Sequence, residues 1–308
     1  NNQNFDNTPS NTWDNSTDDE LRHGKRIGQP PLQMPIQASR ISLFQGTEKF
    51  EDMKIKDNLL RGLVTYGFVV PSKIQQKCIP VISDRKDIVA QSQAGTGKTG
   101  AFTCGVLQVI DEKKNFPQAI ILSPTRELSA QIESVVLDIG RYLKISTSLC
   151  IGGDPIDNNI KKCRTAHVII GTPGRINDLI ERRNPPIFDM ANITIIVLDE
   201  ADVLLSREFL GQTRNIVTKL SEDAQICAFS ATLPPAVVAL TGKMMNNPEY
   251  IPIEEDQLTL DQITQYYVDV SEDRHKYATL DDLYGVISIN QCIIYVNYKE
   301  RAKNLCKR

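Results

Sequence analysis

A short apolar run, a loop of small residues and the start of a helical pattern follow one another between residues 87 and 102. Ile88-Val89-Ala90 is typical of a buried strand, and Ala94-Gly-Thr-Gly-Lys-Thr99 leads from it into a helix. Glycines let the backbone approach an oligophosphate closely, and N–H groups of the loop and of the first helical turn favour an anion. The stretch therefore predicts a phosphate-binding loop, in which Lys98 reaches the β- and γ-phosphates and the Thr99 hydroxyl holds Mg²⁺.

This interpretation has a structural alternative. The general phosphate-loop pattern begins with glycine, and here that position is Ser92. A glycine-rich turn between a strand and a helix can also serve the fold alone. The sequence Gly95-Thr-Gly-Lys-Thr99 directly after a strand nevertheless favours phosphate binding.

Beyond Lys98, unbroken apolar runs alternate with helical patterns. The runs lack polar alternation, as expected of strands buried on both faces, and they lie at 119–122, 148–151, 168–170, 193–198 and 226–229. The helical patterns lie at about 99–111, 126–142, 156–163, 175–183 and 208–220. This alternation predicts an α/β fold with a parallel sheet covered by helices on both faces, and function at the carboxyl ends of its strands.

Three acidic residues within four positions, Asp199, Glu200 and Asp202, follow an apolar run that ends at Leu198. Such acids could simply favour the dipole at the start of a helix. Their mutual repulsion nevertheless favours a bound cation, and the phosphate loop upstream needs one. We therefore expect Asp199 to hold Mg²⁺, usually through water, and Glu200 to orient or deprotonate an attacking water in an ATPase.

A helix-loop-helix pattern precedes the phosphate loop. An amphipathic helix over about 56–66 ends at Gly67, and Pro71 fits the first turn of the next helix, which places Gln75 near its start. A glutamine amide donates and accepts at once, so Gln75 could read an adenine edge while Phe68 stacks on the ring. From the residues alone, this is only a helix-loop-helix with an aromatic side chain in its loop.

Composition limits the class of protein. The 308 residues carry a net charge of −3 and give no overall basic field, so nucleic-acid binding would have to come from local loops and helix ends. The seven cysteines are scattered and form no C-x-x-C pair, which indicates reduced, buried thiols in an intracellular protein. The three histidines are too dispersed for a metal cluster, and no apolar run approaches membrane-spanning length.

Seven motifs stand in the order and approximate spacing of a DEAD-box RNA helicase, which the chain resembles from about Phe50 onward. They are Gln75 with Gly67-Phe68, Ala94-Gly-Thr-Gly-Lys-Thr99, Pro124-Thr-Arg-Glu-Leu128, Gly152-Gly153, Thr172-Pro-Gly-Arg175, Asp199-Glu-Ala-Asp202 and Ser230-Ala-Thr232. Within the family the chain is similar to the translation initiation factor four A group, for example in Asn58-Leu-Leu-Arg-Gly62 and Ala90-Gln-Ser-Gln93. The resemblance implies a RecA-like sheet.

The resemblance also implies a role for each matching residue. ATP binding is implied for Phe50, Phe68, Gln75, Ala94, Gly95, Thr96, Gly97, Lys98 and Thr99. Mg²⁺ binding is implied for Thr99 and Asp199, and catalysis for Lys98, Asp199 and Glu200. Asp202, Ser230 and Thr232 resemble the element that couples nucleotide state to RNA binding, whereas the residues alone would indicate an ordinary helix cap.

RNA contacts are implied at three loops that each lie between an apolar run and a helix. Their residues are Pro124, Thr125 and Arg126, then Gly152 and Gly153, then Thr172, Pro173, Gly174 and Arg175. Backbone N–H groups and guanidinium groups could hold consecutive phosphates and sugars there without touching bases, which implies sequence-independent binding. It also implies recognition of the 2′-OH and strand separation by bending. Taken singly, each loop could be a turn with a capping residue.

The predicted domain organisation has four parts. Residues 1–46 form a polar tail expected to be disordered, 47–247 the RecA-like ATP-binding domain, 248–262 a linker, and 263–308 the incomplete start of a second RecA-like α/β domain. In the last part, 263–270 and 292–296 are predicted strands, while 274–289 and the stretch from 299 onward are predicted helices.

The 308 residues stop before the later motifs of the resembled family, among them an arginine-rich segment that contacts the γ-phosphate. We therefore expect this polypeptide to bind ATP and Mg²⁺ but to hydrolyse ATP slowly and not to unwind RNA alone. One function left open is an ATP-dependent RNA helicase in cytoplasmic translation initiation, with protein scaffold partners. The other is a non-catalytic ATP-dependent RNA clamp in nuclear mRNA or rRNA processing. We expect no membrane partner.

Overall fold

The computed structural model describes residues 47–181, 187–252, 264, 266–288 and 290–307. The chain divides into two compact units, Asn1–Leu258 and Thr259–Arg308. The strands of the first unit are β1 (Ile88–Gln91), β2 (Ala119–Leu122), β3 (Thr147–Cys150), β4 (Val168–Gly171), β5 (Ile195–Asp199), β6 (Gln225–Ser230) and β7 (Glu249–Ile251). They form one sheet in the order β3-β4-β2-β5-β6-β1-β7, and all neighbouring pairs are parallel.

All six apolar runs predicted to be strands between residues 88 and 229 lie in this sheet, so its parallel architecture is confirmed. The central strands β2, β4 and β5 are buried along their whole length, which explains why their sequences show no polar alternation. Because every pair is parallel, the carboxyl ends of the strands lie at one edge of the sheet. In register, Asp199 pairs with Phe229, and Gln91 pairs with Ser230.

Helices cover both faces of the sheet. They are α1 (Asp57–Tyr66), α2 (Lys73–Ser83), α3 (Lys98–Val109), α4 (Arg126–Ile139), α5 (Ile156–Cys163), α6 (Pro173–Glu181), α7 (Ala201–Leu204), α8 (Leu210–Thr218) and α9 (Pro235–Met244). Strand side chains alternate between two apolar cores, since Ile88 and Ala90 belong to one and Val89 to the other. The first core packs against α1–α4, and the second packs against α6, α8 and α9.

Local sequence signals fix the helix-loop-helix before β1. Gly67 ends α1 with a φ of 103°, in the left-handed region that glycine tolerates best. Ser72 and Gln75 then form a capping box at the start of α2. Pro71 was expected in the first helical turn but precedes the N-cap, because the Ser72 side chain provides the stronger start signal.

The predicted linker begins too early. Residues 249–251 form the edge strand β7, which pairs with β1, and the side chains of Tyr250 and Ile251 are buried. The apolar residues Tyr250 and Ile251 allow a short strand to form in a stretch that we had interpreted as a linker because of its acidic composition. Residues 253–263 and the predicted tail 1–46 lie outside the described part of the chain.

In the second unit the described helices are α10 (Lys276–Val286) and α11 (Lys299–Cys306). Both agree with the predicted helical patterns. Residues 266–270 and 292–296, predicted as strands, are not in strands, and Tyr266, Tyr267 and Tyr295 are largely exposed. A parallel strand needs neighbouring strands to satisfy its backbone, and the described residues of this unit provide none.

Five of the seven cysteines are buried free thiols, in agreement with the sequence analysis, whereas Cys292 and Cys306 are exposed. None of the helices in the described part of the chain combines the length and the apolar content needed to cross a bilayer.

The contact between α1 and α4 gives a stability prediction. A Cβ atom at Gly62 of α1 would come within 1.8 Å of the Ile139 carbonyl oxygen. Gly62→Ala should therefore lower the free energy of unfolding by about 1–3 kcal/mol, although alanine is the better helix former by about 1 kcal/mol. Urea unfolding measures the change.

The matched control is Gly211→Ala in α8, where a Cβ atom would meet no neighbour within 4 Å. This variant should be as stable as the parent or slightly more stable. Equal stability gains in both variants would contradict the packing of α1 on α4.

Candidate functional site

The predicted phosphate loop, Ser92–Thr99, joins the end of β1 to the first turn of α3. Gly95 and Gly97 have φ values of 79° and 98°, which disfavour any residue with a side chain there. The Ser92 and Thr96 hydroxyls hydrogen-bond to each other, and the Thr96 hydroxyl also donates to the Gln93 carbonyl at 2.9 Å. Ser92 thus closes the loop with a bond that glycine could not make, which accounts for the departure from the general pattern.

Lys98 lies in the first turn of α3, where helical N–H groups lack intrahelical partners. Its Nζ atom donates to the Ser92 carbonyl at 2.7 Å. Burial lowers the pKa of Lys98, and the nearby carboxylates of Asp199, Glu200 and Asp202 oppose that shift. A half-buried cation beside free N–H groups is an arrangement that a phosphate would stabilise.

The acidic segment, Asp199–Asp202, begins at the last residue of β5. Asp199 is only 5% exposed, and burial raises its pKa to about 6, while Lys98 lowers it and Glu200 raises it. Glu200 is exposed and has a positive φ of 54°, and its N–H donates to Asp199 Oδ1 at 3.1 Å. A left-handed backbone at a residue other than glycine costs free energy, and such strain is common at functional positions.

The residues fit a magnesium ion that is shared with a phosphate. Among the described residues, no group of three or more His, Cys, Asp or Glu side chains is arranged to hold a metal. Mg²⁺ commonly uses only one or two carboxylates, with water and substrate phosphates as the other ligands. The buried carboxylate of Asp199 and the hydroxyl of Thr99 beside the phosphate loop suit that mode of binding.

Gln75 and Phe68 lie beside the start of α3 and the end of the phosphate loop. Gln75 Nε2 donates to the Gly97 carbonyl at 3.3 Å, and its Oε1 accepts from the Ser72 N–H at 2.9 Å. A Cβ atom at Gly97 would lie 2.8 Å from Gln75 Nε2, and one at Gly100 would lie 2.5 Å from the Phe68 ring. Glycines at these two positions therefore allow both side chains to approach the start of α3.

Phe50 is placed in the hydrophobic core. It lies in the 3₁₀ turn Phe50–Met53, is 1% exposed and belongs to the core beneath α1–α4. The expectation of a direct ATP contact is not supported by this placement, because an isolated aromatic residue near the start of a domain can complete the core instead. Ala94 and Gly95, by contrast, are exposed in the phosphate loop.

The three residues expected to couple the two sites are brought together. The Ser230 carbonyl at the end of β6 accepts from the Ser92 N–H at 3.0 Å. The Thr232 hydroxyl donates to Asp202 Oδ2 at 2.5 Å, and the Ser230 hydroxyl donates to the Thr232 carbonyl at 2.6 Å. Hydrogen bonds thus connect the phosphate loop, the loop after β6 and the acidic segment. Their use as a relay remains a prediction.

Arg126 lies across the glycine pair. A Cβ atom at Gly152 would come within 2.9 Å of Arg126 Nη2, and one at Gly153 within 3.2 Å of Nη1. Gly153 also has a φ of 100°. Thr125 caps α4 by accepting from the Leu128 N–H at 3.2 Å. The glycine pair therefore makes room for an exposed guanidinium group, which gives it a role beyond that of a turn.

A second arginine is held by groups that the sequence analysis did not identify. Arg175 Nη1 donates to Asn159 Oδ1 at 2.5 Å, and Nη2 donates to the Asp154 carbonyl at 2.9 Å. Asn159 Nδ2 donates in turn to the Leu149 carbonyl in β3 at 2.8 Å. Arg175 is thereby fixed over the loop after β3.

The sequence did contain a signal for Asn159. Ile156, Ile160 and Cys163 mark the apolar face of α5, and Asn159 lies on that face at helical spacing. A polar side chain at such a position needs a hydrogen-bond partner in the interior.

The remaining predicted RNA residues shape these loops. Pro124 and Pro173 are buried, Gly174 is exposed, and the Thr172 N–H donates to the Cys150 carbonyl at 3.2 Å. The three loops follow β2, β3 and β4, which are neighbours in the sheet, whereas the phosphate loop, the acidic segment and the coupling residues follow β1, β5 and β6. One edge of the sheet therefore carries two adjacent groups of polar residues.

The fold and the phosphate loop define a parallel α/β protein of the phosphate-loop class. The family model described as DEAD/DEAH box helicase matches residues 72–240. This chain belongs to that family.

Curated relatives support the assignment. The chain is 45% identical over 260 residues to "ATP-dependent RNA helicase eIF4A" of Kluyveromyces lactis, covering 84% of this chain and 65% of the relative. It is 44% identical over 256 residues to "ATP-dependent RNA helicase FAL1" of Candida glabrata, covering 82% of this chain and 63% of the relative. The chain thus spans slightly less than two thirds of these relatives.

Solved structures agree with the fold. Dbp5 of S. cerevisiae bound to RNA and ADP BeF3 matches with a TM-score of 0.76 and 34% identity, over 85% of this chain and 66% of that one. A DEAD box protein of Methanococcus jannaschii matches with a TM-score of 0.63 and 30% identity, over 85% of this chain and 70% of that one. The RecA-like fold predicted for the first unit is confirmed.

Burial of Asp199 predicts a stability change with pH. A carboxyl with a raised pKa stabilises the folded state while protonated, and that contribution is lost as the pH rises through about 6. Without nucleotide or metal at pH 7.5, the free energy of unfolding of Asp199→Asn should exceed that of the parent by about 1–3 kcal/mol. The difference should vanish as the pH falls toward about 4.

Chemical unfolding at several pH values measures this difference. The control is Asp223→Asn, which removes an exposed carboxylate and should change stability by less than about 0.5 kcal/mol at any pH. A less stable Asp199→Asn variant at pH 7.5 would contradict the account of an uncompensated buried charge.

Proposed function

We propose that this protein is an ATP-dependent RNA helicase that uses Mg²⁺ and acts in translation initiation. The observation that carries the proposal is the edge of the sheet, where phosphate-loop and acidic residues lie next to loops that present two arginines. The Asp202–Thr232 hydrogen bond joins the loops after β5 and β6, and β5 is the neighbour of β2 in the sheet. The names of the relatives and the RNA and ADP BeF3 bound to Dbp5 support this proposal.

In the nucleotide half, Lys98 neutralises charge on the β- and γ-phosphates, and Thr99 and Asp199 hold Mg²⁺. The metal would stabilise negative charge that develops on the transferred phosphoryl group. Glu200, exposed and held in a fixed backbone conformation, orients the attacking water. Gln75 and Phe68 recognise the adenine beside the start of α3.

In the RNA half, Arg126 and Arg175 contact phosphates, and the backbone of the adjacent loops contacts phosphates and sugars. Such contacts carry no base information, so binding is independent of sequence. They are local, which reconciles RNA binding with a net charge of −3. Loss of the γ-phosphate alters RNA binding through the hydrogen bonds of Ser230, Thr232 and Asp202.

The cellular role is proposed from the relatives. Similarity to helicases named eIF4A favours cytoplasmic translation. We also propose protein scaffold partners, and a nuclear RNA clamp stays the second candidate. The two candidates share the site and differ in turnover.

Nucleotide binding tests the first half of the proposal. By calorimetry with ATP and Mg²⁺, Lys98→Ala should weaken binding about tenfold or more, because a charge-assisted contact to phosphate is lost. The control is Lys86→Ala, which removes an exposed lysine paired with Glu249 at the opposite edge of the sheet. No ATP binding by the parent chain, or equal binding by both variants, would overturn the proposed site. Rapid RNA-stimulated hydrolysis would favour the helicase over the non-catalytic clamp.

RNA binding tests the second half. Gly152→Ala places a methyl group against the guanidinium of Arg126 and should weaken binding of a fluorescent single-stranded RNA about fivefold, in the presence of Mg²⁺ and adenylyl imidodiphosphate. Gly242→Ala in α9 is the control, because its Cβ atom would meet no neighbour. Affinity that is unchanged by both Gly152→Ala and Arg126→Ala would exclude this face as the RNA site.

A further inference from the structure

Asn159 has a side chain that is almost completely buried yet belongs to no predicted motif. It is 3% exposed and lies on the face of α5 that packs toward β3. Its amide uses both of its polar ends, since Nδ2 donates to the Leu149 carbonyl and Oδ1 accepts from Arg175 Nη1. The amide thus connects the edge strand β3 to a guanidinium at the site.

Among the described residues, Arg175 has two acceptors, and both are neutral. One is the Asn159 amide oxygen and the other is the backbone carbonyl of Asp154. Two of the five guanidinium N–H groups are used in these bonds, which leaves the charge and the other donors for a ligand. A carboxylate in place of the Asn159 amide would hold the guanidinium equally well but would pair its charge.

We propose that Asn159 is a positioning residue for RNA binding, which fixes Arg175 toward an RNA phosphate without neutralising it. The proposal rests on the proposed function, because it requires RNA at the loops after β2, β3 and β4. It adds a specific role for a neutral amide: anchoring by Oδ1 and Nδ2 sets the direction of the guanidinium, and the absence of an anionic partner preserves its charge.

The test measures RNA affinity and its salt dependence for the 308-residue chain with Mg²⁺ and adenylyl imidodiphosphate. Asn159→Ala removes the anchor but leaves the charge, and it should weaken binding about threefold to tenfold with little change in the salt slope. Asn159→Asp keeps an acceptor but pairs the charge, and it should weaken binding and reduce the salt slope by about 0.7, as expected for one lost phosphate contact.

A double-mutant cycle separates positioning from a general structural effect. In the Arg175→Ala background, Asn159→Ala should cause no further loss, because its effect acts through the guanidinium. The control is Asn158→Ala, which changes the exposed neighbour on the same helix and should leave affinity unchanged. ATP affinity and the melting temperature are recorded for every variant, and Asn159→Asp alone decides the matter if Asn159→Ala does not fold.

The outcomes distinguish the two proposals. Failure of the parent chain to bind RNA overturns both the RNA-binding function and the role of Asn159. Binding by the parent with unchanged affinity in Asn159→Ala, or with the same fold-loss in the Arg175→Ala background, overturns only the positioning role. A salt slope in Asn159→Asp equal to that of the parent overturns the claim about charge.

Discussion

The parallel hydrogen-bonded register of β5, β6 and β1 is the constraint on which the candidate site depends. It sets Asp199 beside Phe229 and Gln91 beside Ser230, so the three strands end within one residue of one another. The next residue after β1 continues the pairing, because the Ser92 N–H donates to the Ser230 carbonyl. The phosphate loop, the acidic segment and the coupling loop are therefore adjacent because of the sheet, although they lie at residues 92–99, 199–202 and 230–232 of the sequence.

This arrangement places the opposite charges of Asp199 and Lys98 in a partly desolvated environment. Burial disfavours the charged forms of both Asp199 and Lys98, and each partly compensates the other. The site therefore carries electrostatic cost in the free protein, which a phosphate and a divalent cation together would relieve. The left-handed backbone of Glu200 adds to that cost. These groups therefore lower the stability of the free protein, and the same groups are the ones that can bind a charged ligand.

Much of the fold and site could be predicted, because the signals are local. Unbroken apolar runs identify strands buried on both faces, and glycines with positive φ mark the phosphate loop. Burial of Phe50 could not be predicted, because it depends on where α1–α4 pack. The strand β7 was missed because two buried side chains, Tyr250 and Ile251, are too few to form a period.

Contacts between distant loops also could not be predicted from the sequence. The packing of Arg126 on Gly152 and the hydrogen bond from Arg175 to Asn159 join segments that are linked only through the order of β2, β4 and β3. In the second unit, the apolar residues 292–296 have the composition of a strand, but a strand also needs partners to pair with. Composition could not supply that information.

A crystal structure of the chain with adenylyl imidodiphosphate and Mg²⁺ tests the central claim most directly. The account predicts one triphosphate on the phosphate loop with Lys98 at its β- and γ-phosphates, and one metal ion that is bound by Thr99 and, directly or through water, by Asp199. Nucleotide bound elsewhere, a metal ion far from Asp199, or no binding at millimolar ligand would contradict it.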